Sequence, residues 1–158
     1  MPAADGPTIS IRPPTPADRA AWEALFRAYL AFYDRDEPPH IYDRAWNEFL
    51  RDERMHALLA CRGEDVVGIT HFLYHANTSA ADVCYLQDLY TRAEERRGGV
   101  GRALIEAVKR RASARGCSRL YWMTQASNET ARRLYDQVAE FTGFIRYQVP
   151  LRGTAAST

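Results

Sequence analysis

Apolar residues recur along this chain in two patterns, and each pattern predicts one kind of element. Alternation of apolar and polar residues in short runs is typical of strands, whereas a spacing of three to four residues is typical of helices. Helical spacing from Trp22 to Phe32 predicts a first helix, which starts at a capping sequence around Thr15 and runs to about Tyr33. Three further helices are predicted at Asp43–Leu50, at Val100–Arg115, and from a cap at Ser127 or Asn128 to a stop at Gly143.

Six runs have the character of strands. They lie at Thr8–Arg12, Met55–Arg62, Val66–His75, Asp82–Thr91, Ser118–Thr124 and Phe144–Val149. The predicted order is therefore β-α-α-β-β-β-α-β-α-β, in which a hairpin meander precedes a βαβ crossover. This order predicts an α/β fold with a mixed sheet and helices on both faces. Because no repeat or linker interrupts the pattern, we expect one domain over residues 1–158, with loose tails at 1–7 and 151–158.

Composition limits the classes of function. The net charge of +1 gives no general attraction to nucleic acid or to an anionic membrane, and no apolar run approaches the length of a membrane span. The polar N-terminus has no signal-peptide core, so a cytoplasmic location is predicted. Three scattered cysteines fit buried apolar positions in a reducing compartment, and neither they nor the four histidines have the spacing of a metal site.

A glycine-rich loop is the strongest local signal. Its sequence, RRGGVGR at residues 96–102, lies between the strand predicted at Asp82–Thr91 and the helix that begins near Val100. Free amides at such a helix start attract phosphate, and glycine lets a ligand approach the main chain. The loop lacks the lysine of a Walker motif and the third glycine of a dinucleotide fingerprint. An ordinary strand-to-helix turn remains the alternative.

Four motifs in order resemble the Gcn5-related N-acetyltransferase (GNAT) superfamily. They are LQDLY at 86–90, RRGGVGRAL at 96–104, NETARRLY at 128–135 and TGF at 142–144. The resemblance spans about residues 55–149 and is closest to the branch that holds the Hpa2-like and spermidine/spermine acetyltransferases. It implies a GNAT fold, with a central, mostly antiparallel mixed sheet of six to seven strands flanked by about four helices.

The resemblance also implies acetyl-CoA as co-substrate. Main-chain amides from Arg97 to Arg102 would hold its pyrophosphate, and amides of Leu89 or Thr91 would bond the acyl carbonyl and the pantetheine arm. Tyr90 lies between these two, and Asn128 matches a position that touches the cofactor arm, although it also fits a plain helix cap. The remaining cofactor contacts implied by the loop are Arg96, Arg97, Gly98, Gly99, Val100, Gly101 and Arg102, whose arginine side chains fit a solvated basic rim equally well.

Two residues are predicted to be catalytic. Tyr135 falls at the family's tyrosine position, and a phenol with a pKa near 10 can donate a proton to a departing thiolate. It also lies on an apolar helical stripe, so plain packing is the alternative. Polyamine acetyltransferases carry glutamate where this chain has Gln87, which accepts no proton at neutral pH. Asp88 is therefore the candidate base, with release of the proton to solvent as the alternative.

The acceptor is expected to bind near the link between the first two helices. Tyr33, Asp34 and Glu37 there, together with Gln87 and Asp88, would contact a small basic amine such as a polyamine or amino acid, or a lysine side chain. An exposed turn with ordinary surface charge is the alternative. Relatives in this branch are commonly dimeric, which predicts a homodimer. The competing hypothesis is a module that binds acyl-CoA without turnover, as a sensor or partner domain.

Overall fold

The computed structural model describes residues 7–151. Along the chain these residues divide into two compact units, with the division between Met123 and Thr124. The predicted tails fall almost entirely outside the described residues. No helix within residues 7–151 is both long and apolar enough to cross a membrane.

The first unit contains a five-stranded sheet in sequence order. The strands are β1 (Ile9–Arg12), β2 (His56–Arg62), β3 (Asp65–His75), β4 (Val83–Thr91) and β5 (Arg119–Tyr121). Neighbouring strands from β1 to β4 are antiparallel, and β5 runs parallel to β4. The α/β mixed sheet is therefore confirmed, and the described residues form five strands rather than six or seven.

Three helices cover this sheet. They are α1 (Arg19–Phe32), α2 (Pro39–Arg51) and α3 (Val100–Ala114). A buried cluster joins α1 and α2 to one face of β2 and β3; its members include Trp22, Tyr42, Trp46, Phe49, Leu59 and Ile69. The apolar side of α3 packs on the other strand face, where Val100 and Leu104 lie against Gly68. Since strand side chains alternate between faces, Leu58 belongs to the second layer and Leu59 to the first.

Three predicted boundaries differ from the structure. The fourth helix ends at Val138 rather than at the predicted stop, Gly143. Helix α2 starts four residues earlier than the prediction at Asp43, because Pro39 occupies its first turn, where the missing amide costs no hydrogen bond. Strand β5 is shorter than the predicted Ser118–Thr124, because it pairs with β4 over only three residues.

The second unit contains α4 (Glu129–Val138). Asn128 is its N-cap, and the side chain accepts a hydrogen bond of 3.3 Å from the amide of Ala131. The strand predicted at Phe144–Val149 is wrong, because these residues have no regular structure and are exposed. Alternation identifies a segment that is able to form a strand, but a strand also needs a neighbour, and none within residues 7–151 pairs with it.

Candidate active site

Strand β4 is irregular at its centre. In the ladder with β3, His71 lies opposite Asp88 while the next residue, Phe72, lies opposite Leu86. Gln87 is thus an extra residue without a cross-strand partner, which defines a β-bulge. Without the bulge, Gln87 and Asp88 would face opposite sides of the sheet, whereas both contribute to one pocket.

The two parallel strands part just before this bulge. The pairing of β4 with β5 ends at Tyr85 opposite Tyr121, and β4 then continues to Thr91. No strand among the described residues pairs with that edge of residues 86–91. Leu89 and Thr91 therefore lie on a stretch whose outer edge has no strand partner, with the carbonyl of Thr91 bonded by Arg96, whereas the ring of Tyr90 packs against the apolar cluster.

A pocket of about 440 Å³ lies between α1, α2 and the bulge. Its lining combines apolar side chains with three acids and three arginines. They are Phe26, Leu30, Arg35, Glu37, Ile41, Arg44, Ala45, Glu48, Phe49, Arg54, Met55, His71, Gln87 and Asp88. A site with apolar walls and a few charged groups suits a small polar molecule that is held in one orientation.

Two of the three arginines in the pocket are neutralised locally. Arg35 donates two hydrogen bonds to Glu37, and Arg54 forms an ion pair with Glu48. Arg44 has no ion-pair partner within residues 7–151. Asp88 also lacks an arginine or lysine partner among those residues, and its neighbour is His71. The pocket thus carries one carboxylate, Asp88, that has no arginine or lysine partner, and one guanidinium, Arg44, that has no carboxylate partner in an ion pair, among residues 7–151.

His71 joins Asp88 to the core. It is 1% exposed, and its Nδ1 lies 2.9 Å from Asp88 Oδ2, while Trp22 donates its indole N–H to Nε2 at 2.9 Å. Phe49 stacks on the imidazole, with ring centroids 4.3 Å apart. Asp88 is also fixed through its main chain, because its carbonyl accepts a hydrogen bond of 2.8 Å from Thr70.

The predicted acceptor residues divide into two groups. Glu37, Gln87 and Asp88 line the same pocket. Tyr33 and Asp34 are not among its lining residues: Tyr33 packs against neighbouring rings of α1, and Asp34 is exposed with a φ of 55° in the turn after α1. The expectation that these two contact the acceptor has no support from the pocket.

The glycine loop has the backbone shape of an anion site. Gly99 is the N-cap of α3 with a φ of 81°, and Arg97 is also left-handed at 69°. The first amide bonded to this cap is that of Ala103, which donates to Gly99 O, so the amides of Val100 and Gly101 have no acceptor inside the helix. These donors, together with the helix dipole, favour a phosphate at this end of α3.

Arg62 contacts the glycine loop from the neighbouring strand β2. Arg62, at the end of β2, bonds Glu95 at 2.5 Å, and a Cβ on Gly98 would lie 2.9 Å from the Arg62 guanidinium. A side chain at position 98 would therefore displace the Arg62 guanidinium. Arg96 does not point away from the protein, because its guanidinium lies 5.6 Å from the centre of the Tyr90 ring and bonds Thr91 O.

The remaining cofactor candidates differ in what the structure shows of them. The side chain of Val100 is buried, so its main chain alone is available to a ligand. Arg97 and Arg102 are exposed at the start of α3, as expected for either a phosphate contact or a basic rim. In the second unit, Asn128 acts as the helix cap and Tyr135 lies half-buried on α4. The roles of these residues toward a cofactor stay predictions.

Sequence reasoning missed His71, Trp22 and Arg44. The histidine spacing bears only on metal binding, whereas a histidine within an apolar strand is itself a signal that His71 has a buried partner. The helical spacing identifies Trp22 as one position of an apolar stripe, but its N–H also requires an acceptor when the ring is buried. Arg44 carries no local signal, since its place in the pocket depends on the packing of α2.

Comparison with known proteins gives a consistent assignment. The model of the acetyltransferase (GNAT) family matches residues 22–141. The chain is 33% identical over 144 residues to the D-amino-acid N-acetyltransferase HPA3 of Saccharomyces cerevisiae, with 89% of each chain covered. It is 32% identical over 89 residues to the thialysine N-epsilon-acetyltransferase of Caenorhabditis elegans, with 56% of each chain covered.

The fold is also found among solved structures. The aminoglycoside N-acetyltransferase AAC(6')-Iy in complex with CoA superposes with a TM-score of 0.82 at 17% identity, covering 94% of this chain and 98% of that chain. At this identity the likeness concerns the fold alone. The family match and the yeast relative carry the assignment further: this chain belongs to the acetyltransferase (GNAT) family and is an acyltransferase.

Proposed function

We propose that this protein transfers an acetyl group from acetyl-CoA to the primary amine of a small molecule by direct attack. The observation that carries the proposal is the Asp88 carboxylate, which lies in a pocket of about 440 Å³ at the point where β4 leaves β5. An acceptor in this pocket and a thioester along the open edge of β4 would meet beside the bulge. The printed activities of the two curated relatives, both N-acetyltransferases, support this reaction class.

The loop fits the diphosphate of the donor. A Cβ added at Gly99 would meet nothing within 4 Å, so no protein atom covers this side of the loop, and the left-handed φ of Gly99 is typical of a backbone that presents consecutive amides. The amides from Arg97 to Arg102 would hold the diphosphate, and the open edge at Leu89 and Thr91 would bond the pantetheine arm and the acyl oxygen. Bound there, acetyl-CoA supplies an activated acyl carbon.

The reaction requires the protein to accept a proton from the amine, to stabilise the oxyanion and to protonate the leaving thiolate. An alkylammonium with a pKa near 10.4 must lose a proton before its nitrogen attacks, and Asp88 is our candidate to receive that proton. The C–N bond forms as the C–S bond breaks, and main-chain donors of β4 stabilise the oxyanion, each contributing about 3 kcal/mol. The departing thiolate takes a proton, for which Tyr135 remains our candidate from its place in the family pattern.

An amino acid fits the charges of the pocket better than a polyamine does. The ammonium would face Asp88, and the carboxylate would face Arg44, the one guanidinium of the pocket that forms no ion pair within residues 7–151. A polyamine would bring a second cation toward Arg44, which is unfavourable. We therefore propose an amino acid as the acceptor, a class named for the yeast relative.

Thiol release tests the proposal. Purified protein, acetyl-CoA and an amine panel of L- and D-amino acids, polyamines and a lysine peptide are followed by a thiol-reactive dye. We expect acceptor-dependent release for amino acids and at least a 100-fold lower turnover for Asp88→Asn, with Asp65→Asn on the exposed hairpin as the matched control. Binding of acetyl-CoA without release for any amine would favour the non-catalytic module.

Removal of the Arg44 charge tests whether the acceptor carries a carboxylate. Arg44→Gln should raise the KM for amino acids about 10-fold or more and leave the KM for polyamines unchanged. Arg51→Gln, at the exposed end of the same helix, is the control. Equal effects on both acceptor classes would contradict a carboxylate contact at Arg44.

We further propose a homodimer. From Ile145 to Leu151 every second residue is apolar and exposed: Ile145 is 75%, Tyr147 89%, Val149 80% and Leu151 73% exposed. Exposed apolar side chains of this kind are typical of an interaction surface, and their alternation suits pairing with a strand of a second copy. Sedimentation of the full chain should give a dimer that Tyr147→Glu weakens, and a monomeric wild type would refute this.

A further inference from the structure

The Asp88 carboxylate is tied to a buried imidazole whose two nitrogens are both occupied. His71 lies directly opposite Asp88 in the β3–β4 ladder, and the apolar rings of Phe26 and Phe49 enclose it. With 1% of His71 exposed, water does not complete its hydrogen bonds. Each ring nitrogen must therefore find its partner within the protein, and the structure provides one for each.

The partners fix which nitrogen carries the proton. An indole N–H only donates, so the Nε2 atom that receives it from Trp22 must present a lone pair. The ring proton is then on Nδ1, which donates to Asp88 Oδ2. An imidazolium would need a second proton on Nε2, where it would face the Trp22 N–H at 2.9 Å. His71 is consequently a neutral donor that cannot accept a proton passed on by Asp88.

We propose that His71 and Trp22 are positioning residues that hold Asp88 as a terminal proton acceptor for the incoming amine. The inference rests on the acetyl transfer proposed above. In that reaction the ammonium N–H bond breaks and the proton moves to a carboxylate oxygen of Asp88, which later releases it to solvent. His71 holds the carboxylate through Oδ2, and Trp22 keeps the histidine in the tautomer that donates.

The bulge explains why Asp88 needs support from side chains. Gln87 has no cross-strand partner, so the ladder beside Asp88 is weaker than in a regular strand. A carboxylate at such a place needs support from side chains, which Thr70 supplies to its carbonyl and His71 to its side chain. Displacement of a reacting group by about 1 Å is enough to lower a rate about 100-fold.

Substitutions at position 71 separate positioning from packing. His71→Asn keeps an N–H donor near the place of Nδ1, whereas His71→Leu removes it. We expect kcat to fall about 10- to 100-fold in the leucine variant, to recover at least severalfold in the asparagine variant, and the KM for acetyl-CoA to stay within a few-fold in both. His75→Asn, near the end of the same strand, is the matched control. Equal turnover of the asparagine and leucine variants, or wild-type turnover of the leucine variant, would overturn the proposal.

A spectroscopic measurement tests the arrangement without any activity. In protein labelled with ¹⁵N-histidine, the nitrogen shifts of His71 should report a ring whose Nδ1 carries the proton and whose Nε2 does not. Trp22→Phe, which removes the indole N–H together with the five-membered ring that carries it, should release this preference and lower kcat. A wild-type ring protonated at Nε2, or a Trp22→Phe ring that keeps the Nδ1 proton with unchanged kcat, would refute the positioning role. Absence of acetyl transfer in the wild type with the Nδ1 tautomer present would refute the proposed reaction instead.

Discussion

Gly68 sets how closely α3 approaches the sheet, and an added methyl group there should separate them. A Cβ at this position would lie 2.7 Å from Val100 Cγ1, 3.2 Å from Leu104 Cδ1 and 3.3 Å from Tyr90 O. Apolar carbon atoms normally keep about 3.5 to 4.0 Å, so the closest of these contacts overlaps by about 1 Å. Overpacking of this kind costs about 1 to 3 kcal/mol.

Thermal unfolding measures this cost. For a chain of this size, 2 kcal/mol corresponds to a Tm lower by about 4 to 8 °C. Val100→Ala alone should cost about 1 to 3 kcal/mol, since it removes two buried methyl groups. The combination of Gly68→Ala with Val100→Ala should then be less destabilised than the sum of the single variants by about 1 kcal/mol, because the new methyl group enters the space that Cγ1 leaves.

The same substitution should reach the donor site. Val100 is the first residue of α3 and follows Gly99, so a displaced helix start moves the amides of the loop and should raise the KM for acetyl-CoA about 10-fold. Gly116→Ala is the matched control: its φ of 84° strains an alanine, yet no atom lies within 4 Å of the added Cβ. It should lower Tm and leave that KM unchanged. Additive single and double variants, or a Gly68→Ala protein with wild-type Tm, would refute the packing argument.

Three further outcomes are expected. Tyr135→Phe should lower turnover at least 10-fold with the affinity for acetyl-CoA within a few-fold; unchanged turnover would remove Tyr135 from the mechanism. The Arg12 guanidinium and Thr15 hold the pKa of Asp18 well below its ordinary value of about 4, so Asp18 stabilises the fold above that pH and loses its effect as the pH falls. The difference in free energy of unfolding between wild type and Asp18→Asn should therefore be about 1 to 3 kcal/mol at pH 7 and shrink toward pH 2. A difference that stays constant with pH would contradict this. Burial raises the pKa of Cys84 to about 12, so mass spectrometry after alkylation of folded protein at pH 8 should find Cys117 labelled well before Cys84, and equal rates would contradict the burial.

The elements that sequence predicted well are those whose reasons are local. The cap at Asn128 and the glycine turn before Val100 follow from side-chain and backbone chemistry within a few residues, and the structure confirms both. Alternation also identified β3 and β4 to within one residue at each end. These patterns depend on which face of the element is buried, and the order of apolar and polar residues along the sequence shows that directly.

The parts that escaped prediction depend on residues far apart in sequence. Trp22 and His71 are 49 positions apart, and no spacing rule connects an apolar helix position with a strand histidine. The bulge at Gln87 appears only when the register against β3 is known, so the sequence does not reveal that two adjacent residues share a pocket. The strand prediction at Phe144–Val149 is wrong although the local pattern is that of a strand, because no partner strand within residues 7–151 pairs with it.

The unpaired position in β4 also bears on how enzymes of this kind diversify. Exchange of a ladder residue changes the contact with its neighbour on the adjoining strand, but Gln87 has no such neighbour, and it is an exposed residue of the pocket that we propose for the acceptor. If the acceptor binds there, natural variation at this position would alter which amines are accepted while the rest of the protein keeps its packing. A library randomised at this one codon would sample new acceptors with few losses to misfolding.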